Sequence, residues 1–374
     1  MSKKLSMRDM FKKVTLIVLA TIIMSTSLFG CADNKSKDVS KDGNNEVKKV
    51  TTKEEGKSES KNRVVVDMAG REVTLPAEIN KVATFGAIGV LNAFVESLGV
   101  GDKICNDMSP SFKKTDRWKY QYKFVPTLAE KPQFENGNRE IIIEKVLEVK
   151  PDVCLVMNKE QLEVLEKQGL NVVFLSWNNV DDVKKCINIL GEVFNTKERA
   201  EDYTKYFDEK INTAKKLVEQ IPQTDRKKVI YGDVITYKQP HVIAEWWIEQ
   251  AGGISVTNNG RKEDTFSYSL EDLLNWKPDI IFLSTAKTAD DVIASDARLS
   301  TIPAIKNKAI YNVPTVAHVW GNRTVEQPLT IMWAMNKMYP EIMKKEELEK
   351  EVYYFYEHFY NYKLSKDEIA EIIK

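Results

Sequence analysis

The chain has 374 residues, 43% of them hydrophobic, and its 55 Lys and Arg balance 55 Asp and Glu. That zero formal charge argues against a polyanionic partner such as nucleic acid. Only three His are present, which argues against a polyhistidine site for bare metal ions; the three Cys beyond Cys31 (Cys105, Cys154 and Cys186) match no zinc or redox spacing, and their odd number gives no disulfide framework.

The first thirty residues read as a leader. Lys3, Lys4, Arg8, Lys12 and Lys13 form a basic start before an apolar run over residues 14–29. That run is short for a membrane span, which takes about 20 residues, and suits a signal peptide. It ends Leu28-Phe29-Gly30-Cys31, which resembles a bacterial lipobox. The resemblance implies cleavage before Cys31 and lipidation of Cys31; the plain alternative is an ordinary leader with an incidental Cys. Several acyl chains on one residue would give stable anchoring. Residues 31–62 are nearly all polar and charged. Such a segment buries too little surface to offset its ordering entropy, so it is expected to be a disordered tether.

The folded part opens with alternating residues on both sides of Ala69-Gly70, a β-hairpin signal. A short strand is expected at 81–85, then Gly86-Ala-Ile-Gly89 and an apolar helix at 90–98. Residues 102–138 are irregular. Later come a helix at 160–168 and a strand at 172–177. In the second half strands are expected at 228–233 and 309–313, with helices at 243–251 and 329–338 and terminal helices over 341–374. The alternation predicts an α/β fold: two lobes with mainly parallel sheets. Apolar residues recurring every three or four positions over 195–221, with Asn195 and Glu198 at the start and Pro222 after the end, predict one long helix joining the lobes. The expected division is 1–30 leader, 31–62 tether, 63–195 first lobe, 196–222 connecting helix and 223–374 second lobe with terminal helices.

Two segments repeat. Glu144-Lys-Val-Leu-Glu-Val-Lys-Pro-Asp-Val-Cys-Leu-Val156 and Glu271-Asp-Leu-Leu-Asn-Trp-Lys-Pro-Asp-Ile-Ile-Phe-Leu283 lie 127 residues apart and share five of thirteen positions. Each reads as a helix end, a proline stop and a buried strand. Ile143, Val146 and Leu147 in one copy, and Leu270, Leu273 and Leu274 in the other, form an apolar face, which leaves Glu144 and Glu271 pointing outward.

These copies, together with Asp67-Met-Ala-Gly-Arg-Glu-Val73, Gln250-Ala-Gly-Gly253 and Trp333 followed by Tyr339-Pro-Glu341, resemble the class III solute-binding proteins of ABC importers, the group that serves iron–siderophore, haem and cobalamin uptake. The resemblance spans about residues 63–345. It implies two Rossmann-like lobes, a rigid helical backbone and a shallow cleft. It also implies binding without catalysis, an ABC permease dimer as partner, and a monomer held by lipid on the outer face of the cell membrane. Under it, Glu144 and Glu271 would dock onto Arg residues of the two permease subunits; the plain alternative is two solvated carboxylates.

Ligands of parallel α/β sheets bind beyond the carboxyl ends of the strands. The glycines at 86–89 suit either an anion at a helix N-terminus or a simple turn. The segment 113–123 interleaves five cations with Trp118, Tyr120 and Tyr122, which suits a bulky anionic chelate or, equally, a hairpin with one wet face. In the second half Tyr237, His241, His318, Trp320 and Arg323 are candidates; His318 would suit haem iron, although a lone His is more often structural. An iron(III)–siderophore chelate is the first expectation for the ligand. Cobalamin, haem, a nickel chelate and an oxyanion such as molybdate or tungstate are alternatives, and a sensory lipoprotein or adhesin is the rival role. No GxSxG, HExxH, Walker A or CxxC pattern points to an enzyme, and no cofactor is expected.

Overall fold

The computed structural model describes residues 62–374 apart from 240, 241, 259, 261–264 and 286. The leader, Cys31, the tether and His241 lie outside the described residues. Among the described residues no helix is long and apolar enough to cross a membrane.

Two parallel sheets carry the fold. In the first, Val153–Val156 lies between Val82–Thr84 and Val172–Phe174, and Ile104 adds a parallel bridge to Val82. In the second, the order is Ile310–Asn312, Ile280–Leu283, Lys228–Gly232, Ile254–Ser255, all parallel. The two sheets have the same plan. Val82 pairs with Val153 as Val229 pairs with Ile280, and Ile104 flanks the first sheet as Ile254 flanks the second. All four residues of Val153–Val156 and of Ile280–Leu283 are buried, the signature of strands covered on both faces.

The expected hairpin forms from Arg63–Val66 and Glu72–Leu75. Its turn is built by Asp67, whose Oδ1 accepts from the N–H groups of Ala69 and Arg71, while Gly70 takes a φ of 77°. Asp67 Oδ2 also accepts from Phe174 N at 3.1 Å, fastening the hairpin to the last strand of the first sheet.

A helix over Val180–Val193 buries Val183, Cys186, Ile187, Leu190 and Val193 at helical spacing. The connecting helix follows as Lys197–Val218, 22 residues, roughly 33 Å long. It is shorter than the expected 195–221. Asn195 does not cap it: its φ of 57° places it in the turn between the two helices, where its Nδ2 donates to Ala77 O. The helix packs on Val180–Val193 on one side and on Trp246–Gln250 and Gln327–Met338 on the other. Tyr203 donates to Val325 O at 2.8 Å, and the rings of Phe207 and Trp246 stack.

Each lobe has its own outer core. Ala83, Cys154, Val156, Val172, Val146 and Leu165 form the first. Ile230, Ile281, Leu283, Leu273, Val292 and Ile310 form the second. The inner faces of both sheets merge into one larger core that runs from Val82 and Phe94 through Tyr203 and Phe207 to Trp247, Phe282 and Trp333. The helix Lys345–Tyr360 belongs to that shared core and touches both halves: Tyr360 donates to Ala93 O at 3.0 Å, and the helix packs on Gln327–Met338. Cys105, Cys154 and Cys186 are free, buried thiols.

Candidate ligand cleft and outer carboxylates

The two repeat copies fold alike. Glu144 and Glu271 are each the second residue of a seven-residue helix, Ile143–Val149 and Leu270–Trp276, and both are exposed. Both helices end on a left-handed Lys, Lys150 with φ 53° and Lys277 with φ 50°, whose N–H closes the last turn onto Val146 O or Leu273 O. A proline then stops the helix. The aspartate ties the turn to the neighbouring strand. Asp152 Oδ2 accepts from the N–H groups of Asn80 and Lys81, and Asp279 Oδ2 accepts from Lys228 N. The apolar face is buried at Val146, Leu270 and Leu273, whereas Leu147 is exposed.

A cleft of about 340 Å³ opens between the two halves. One side is the first turn of the helix Ile88–Ser97. Gly86 precedes it with φ 70°, and a side chain there would collide with Gln161. Gly86 N donates to Glu135 Oε1 at 2.5 Å, which commits this N–H inward and away from any ligand. Glu135 is buried, and burial raises its pKa against the opposing effect of Gly86, Arg139 and Gln161. Gly89 is placed where a Cβ would meet both Trp118 and His318 at about 3.5 Å. Those two rings lie 5.1 Å apart, one from each half, and Phe112 packs edge-on to Trp118 at 5.3 Å.

Arg139 also lines the cleft. It was not singled out from sequence; the only signal was the turn composition Asn136-Gly-Asn138. Asn136 Oδ1 accepts from Asn138 N and Glu140 N. Arg139 follows with φ 64° and holds its guanidinium 5.4 Å from the Phe112 ring centre. A non-glycine residue in the left-handed region costs free energy and is informative where it lines a binding site.

The opposite side is the loop carrying His318, Asn322 and Arg323. Glu326 lies beneath it, fully buried. Its carboxylate accepts from Ala317 N at 2.9 Å, His318 N at 2.7 Å, Trp320 Nε1 at 3.1 Å and Thr324 Oγ1 at 3.1 Å, and from the Tyr356 hydroxyl. Burial pushes Glu326 up to about 7 despite these donors. Asn322 accepts from Tyr231 Oη at 2.8 Å.

Of the described residues expected at a ligand, Trp118, His318 and Arg323 therefore meet at one cleft, and Tyr120, Tyr237 and Trp320 do not. Trp320 is completely buried, its indole N–H bound to Glu326 and Tyr356. Tyr120 is 2% exposed and packs on Phe124 and Tyr362. Tyr237, with φ 55°, lies against Tyr268 in the outer core of the second half. The basic segment is neither a hairpin nor a ligand strap rich in available charge. It forms short helical turns and the helix Lys119–Phe124. Lys113 pairs with Asp107, Lys119 with Glu371 and Lys123 with Glu368. Arg117 donates to Ser284 O at 2.7 Å, and burial lowers its pKa. A larger recess of about 540 Å³ lies beyond Arg117. It lacks the glycine turn, the ring pair and Arg139, so the smaller cleft is the candidate site. Among the described residues no cluster of His, Cys, Asp or Glu is placed to hold a metal ion.

A family model described as periplasmic binding protein matches residues 97–317, more than half of the chain. The molybdate-binding protein MolA of Haemophilus influenzae is 26% identical over 348 residues, covering 82% of this chain and 93% of that protein. The iron(3+)-hydroxamate-binding protein YxeB of Bacillus subtilis is 24% identical, covering 59% of each. Among solved structures, a periplasmic solute-binding protein from Veillonella parvula superposes with a TM-score of 0.72 at 25% identity, covering 83% of this chain and 97% of that one.

Proposed function

The chain belongs to the periplasmic binding protein family and is the substrate-binding protein of an ABC importer, and from that premise we propose that its cargo is a compact anionic metal species, an oxyanion of the molybdate type. The observation that carries this is the cleft itself. Arg139 lines it from one half and Arg323 from the other, together with the rings of Phe112, Trp118 and His318. Two arginines lining one space favour an anion through charge-assisted hydrogen bonds. Its volume of about 340 Å³ is at the small end of ligand sites, which run from about 300 to 1,000 Å³, and this favours a small anion over a bulky chelate. The molybdate-binding relative covers most of this chain. The second reading is an iron(III) hydroxamate chelate, favoured by the ring surface and by the hydroxamate-binding relative.

In this reading Glu144 and Glu271 dock onto the two permease subunits, one carboxylate per half. Their equivalent placement on equivalent helices supports it. Lipidated Cys31 would anchor a monomer on the outer face of the membrane.

Calorimetric titration of the soluble domain with molybdate, tungstate, a ferric trihydroxamate, haemin and cobalamin tests the cargo. Saturable binding of the oxyanions with weak or no binding of the chelates is expected. Tighter binding of the trihydroxamate would favour the second reading, and binding of haemin or cobalamin alone would sink both.

A further inference from the structure

The cleft and the larger recess share a wall, and that wall is made by two consecutive residues. Arg117 lines the recess of about 540 Å³ and Trp118 lines the cleft of about 340 Å³. Both reach across from the first half to the second. Arg117 donates to Ser284 O at 2.7 Å and lies 3.4 Å from Thr315 Oγ1. Trp118 packs on His318. The second half contributes matching positions from one loop: Thr315 lines the recess and His318 lines the cleft. The guanidinium of Arg117 also lies 5.7 Å from the Trp118 ring centre, so the two layers of the wall support each other.

The recess opens at the carboxyl ends of two strands of the second sheet, beside Thr285 and residues 312–315. Strand ends of this kind are where parallel α/β folds bind ligands. Without the wall, cleft and recess would form one groove approaching the upper range of small-molecule sites.

We propose that the Arg117–Trp118 crossbar is the specificity-determining element of this receptor: it partitions the space between the halves and restricts cargo to ligands that fit the smaller chamber. Arg117 fastens the crossbar itself to the opposite half through its hydrogen bond to the Ser284 carbonyl, while Lys119–Glu371 and Lys123–Glu368 hold the rest of the segment. The Ser284 carbonyl and the Arg117 guanidinium, both half-buried, satisfy each other, and losing the guanidinium removes a tie that holds the wall closed. The inference rests on the proposed anion cleft for the identity of the small ligand, but not for its test.

The test is the size preference of Arg117→Ala, measured by titrating wild type and variant with molybdate and with a ferric trihydroxamate. The expected result is a gain of at least about tenfold in trihydroxamate affinity, equivalent to about 1.4 kcal/mol, with molybdate affinity changed far less. Arg117→Gln, which keeps one donor for the Ser284 carbonyl, should give an intermediate gain and serves if the alanine variant does not fold. Equal trihydroxamate affinity in wild type and variants, whether tight, weak or nil, overturns the crossbar. Failure of wild type to bind molybdate overturns the proposed cargo instead, and leaves the trihydroxamate comparison to decide the crossbar.

Discussion

Lys150 and Lys277 end their helices at nearly the same backbone angles, and the aspartate that follows each proline ties down the neighbouring strand in the same way. The loops that enclose the cleft share only a buried glutamate that accepts from backbone N–H groups. On one side a glycine turn is held by Glu135 and an arginine projects from an Asn-built turn; on the other, a histidine loop is held by Glu326. The halves thus repeat at the outer helices and diverge where they line the cleft. A two-fold partner rewards repetition, because each subunit can use the same contact. A single ligand between the halves rewards divergence, because each side meets different atoms.

The first way to break this comparison is to reverse both outer charges. Glu144→Arg with Glu271→Arg should reduce uptake by on the order of a hundredfold or more, since like charges across an interface cost several kcal/mol, while ligand affinity measured on the isolated domain stays unchanged. Normal uptake by the double variant would mean that the repetition has no partner. Next, Arg139→Ala and Arg323→Ala should each weaken oxyanion binding by roughly 10- to 100-fold, the range for losing a charged hydrogen bond; titration showing no loss for either would remove the anion from the cleft.

A third test sharpens the contrast between the buried carboxylates. Glu326 titrates near 7 in the folded chain against 4.5 in the reference state. A raised carboxyl pKa means that the native state holds the proton more tightly than the unfolded state. Its stabilising contribution is therefore complete below about 4.5 and is lost as pH rises through 7, by on the order of 2–3 kcal/mol. The difference in unfolding free energy between wild type and Glu326→Gln should shift by about that much between pH 4.5 and 7.5, with wild type relatively weaker at the higher pH. A flat difference would show that the carboxylate is fully solvated by its donors. The smallest effect tests the repeat itself. Asp152→Ala removes an acceptor for two N–H groups and Asp279→Ala for one, so urea unfolding should show losses of about 2 and about 1 kcal/mol respectively. Equal losses would mean that the second N–H adds nothing.

The repeat was legible in sequence because its chemistry is local. Lys-Pro-Asp states a helix stop and a strand start within a few residues, and alternation around Ala69-Gly70 states a hairpin. The class of fold followed from such local signals in order. The cleft was only partly legible, because its geometry is set by distant partners. The cations of residues 113–123 look available until Glu368 and Glu371, some 250 positions later, take two of them. Trp320 and Trp118 are the same residue type on comparable loops, yet Trp320 is turned inward by a hydrogen bond to Glu326 and Tyr356. Arg139 was hidden because nothing in Asn136-Gly-Asn138 says that the turn lines a cleft. Asn195 carried a start signal, and the close succession of two helices used it as a left-handed turn instead.

The core that runs through both halves bears on the tempo of transport. Tyr356 and Tyr360 of the second half are buried against Phe124 of the first, and exposing each such large side chain costs about 1.5–3 kcal/mol. Wide parting of the halves is therefore a rare thermal event. Rearrangement of the rim then costs less than a hinge opening, so residence time is expected to respond more to the cleft loops than to a hinge. A permease gripping the two outer carboxylates would act less as a lever opening a jaw than as a wedge loosening one edge of a rigid cup.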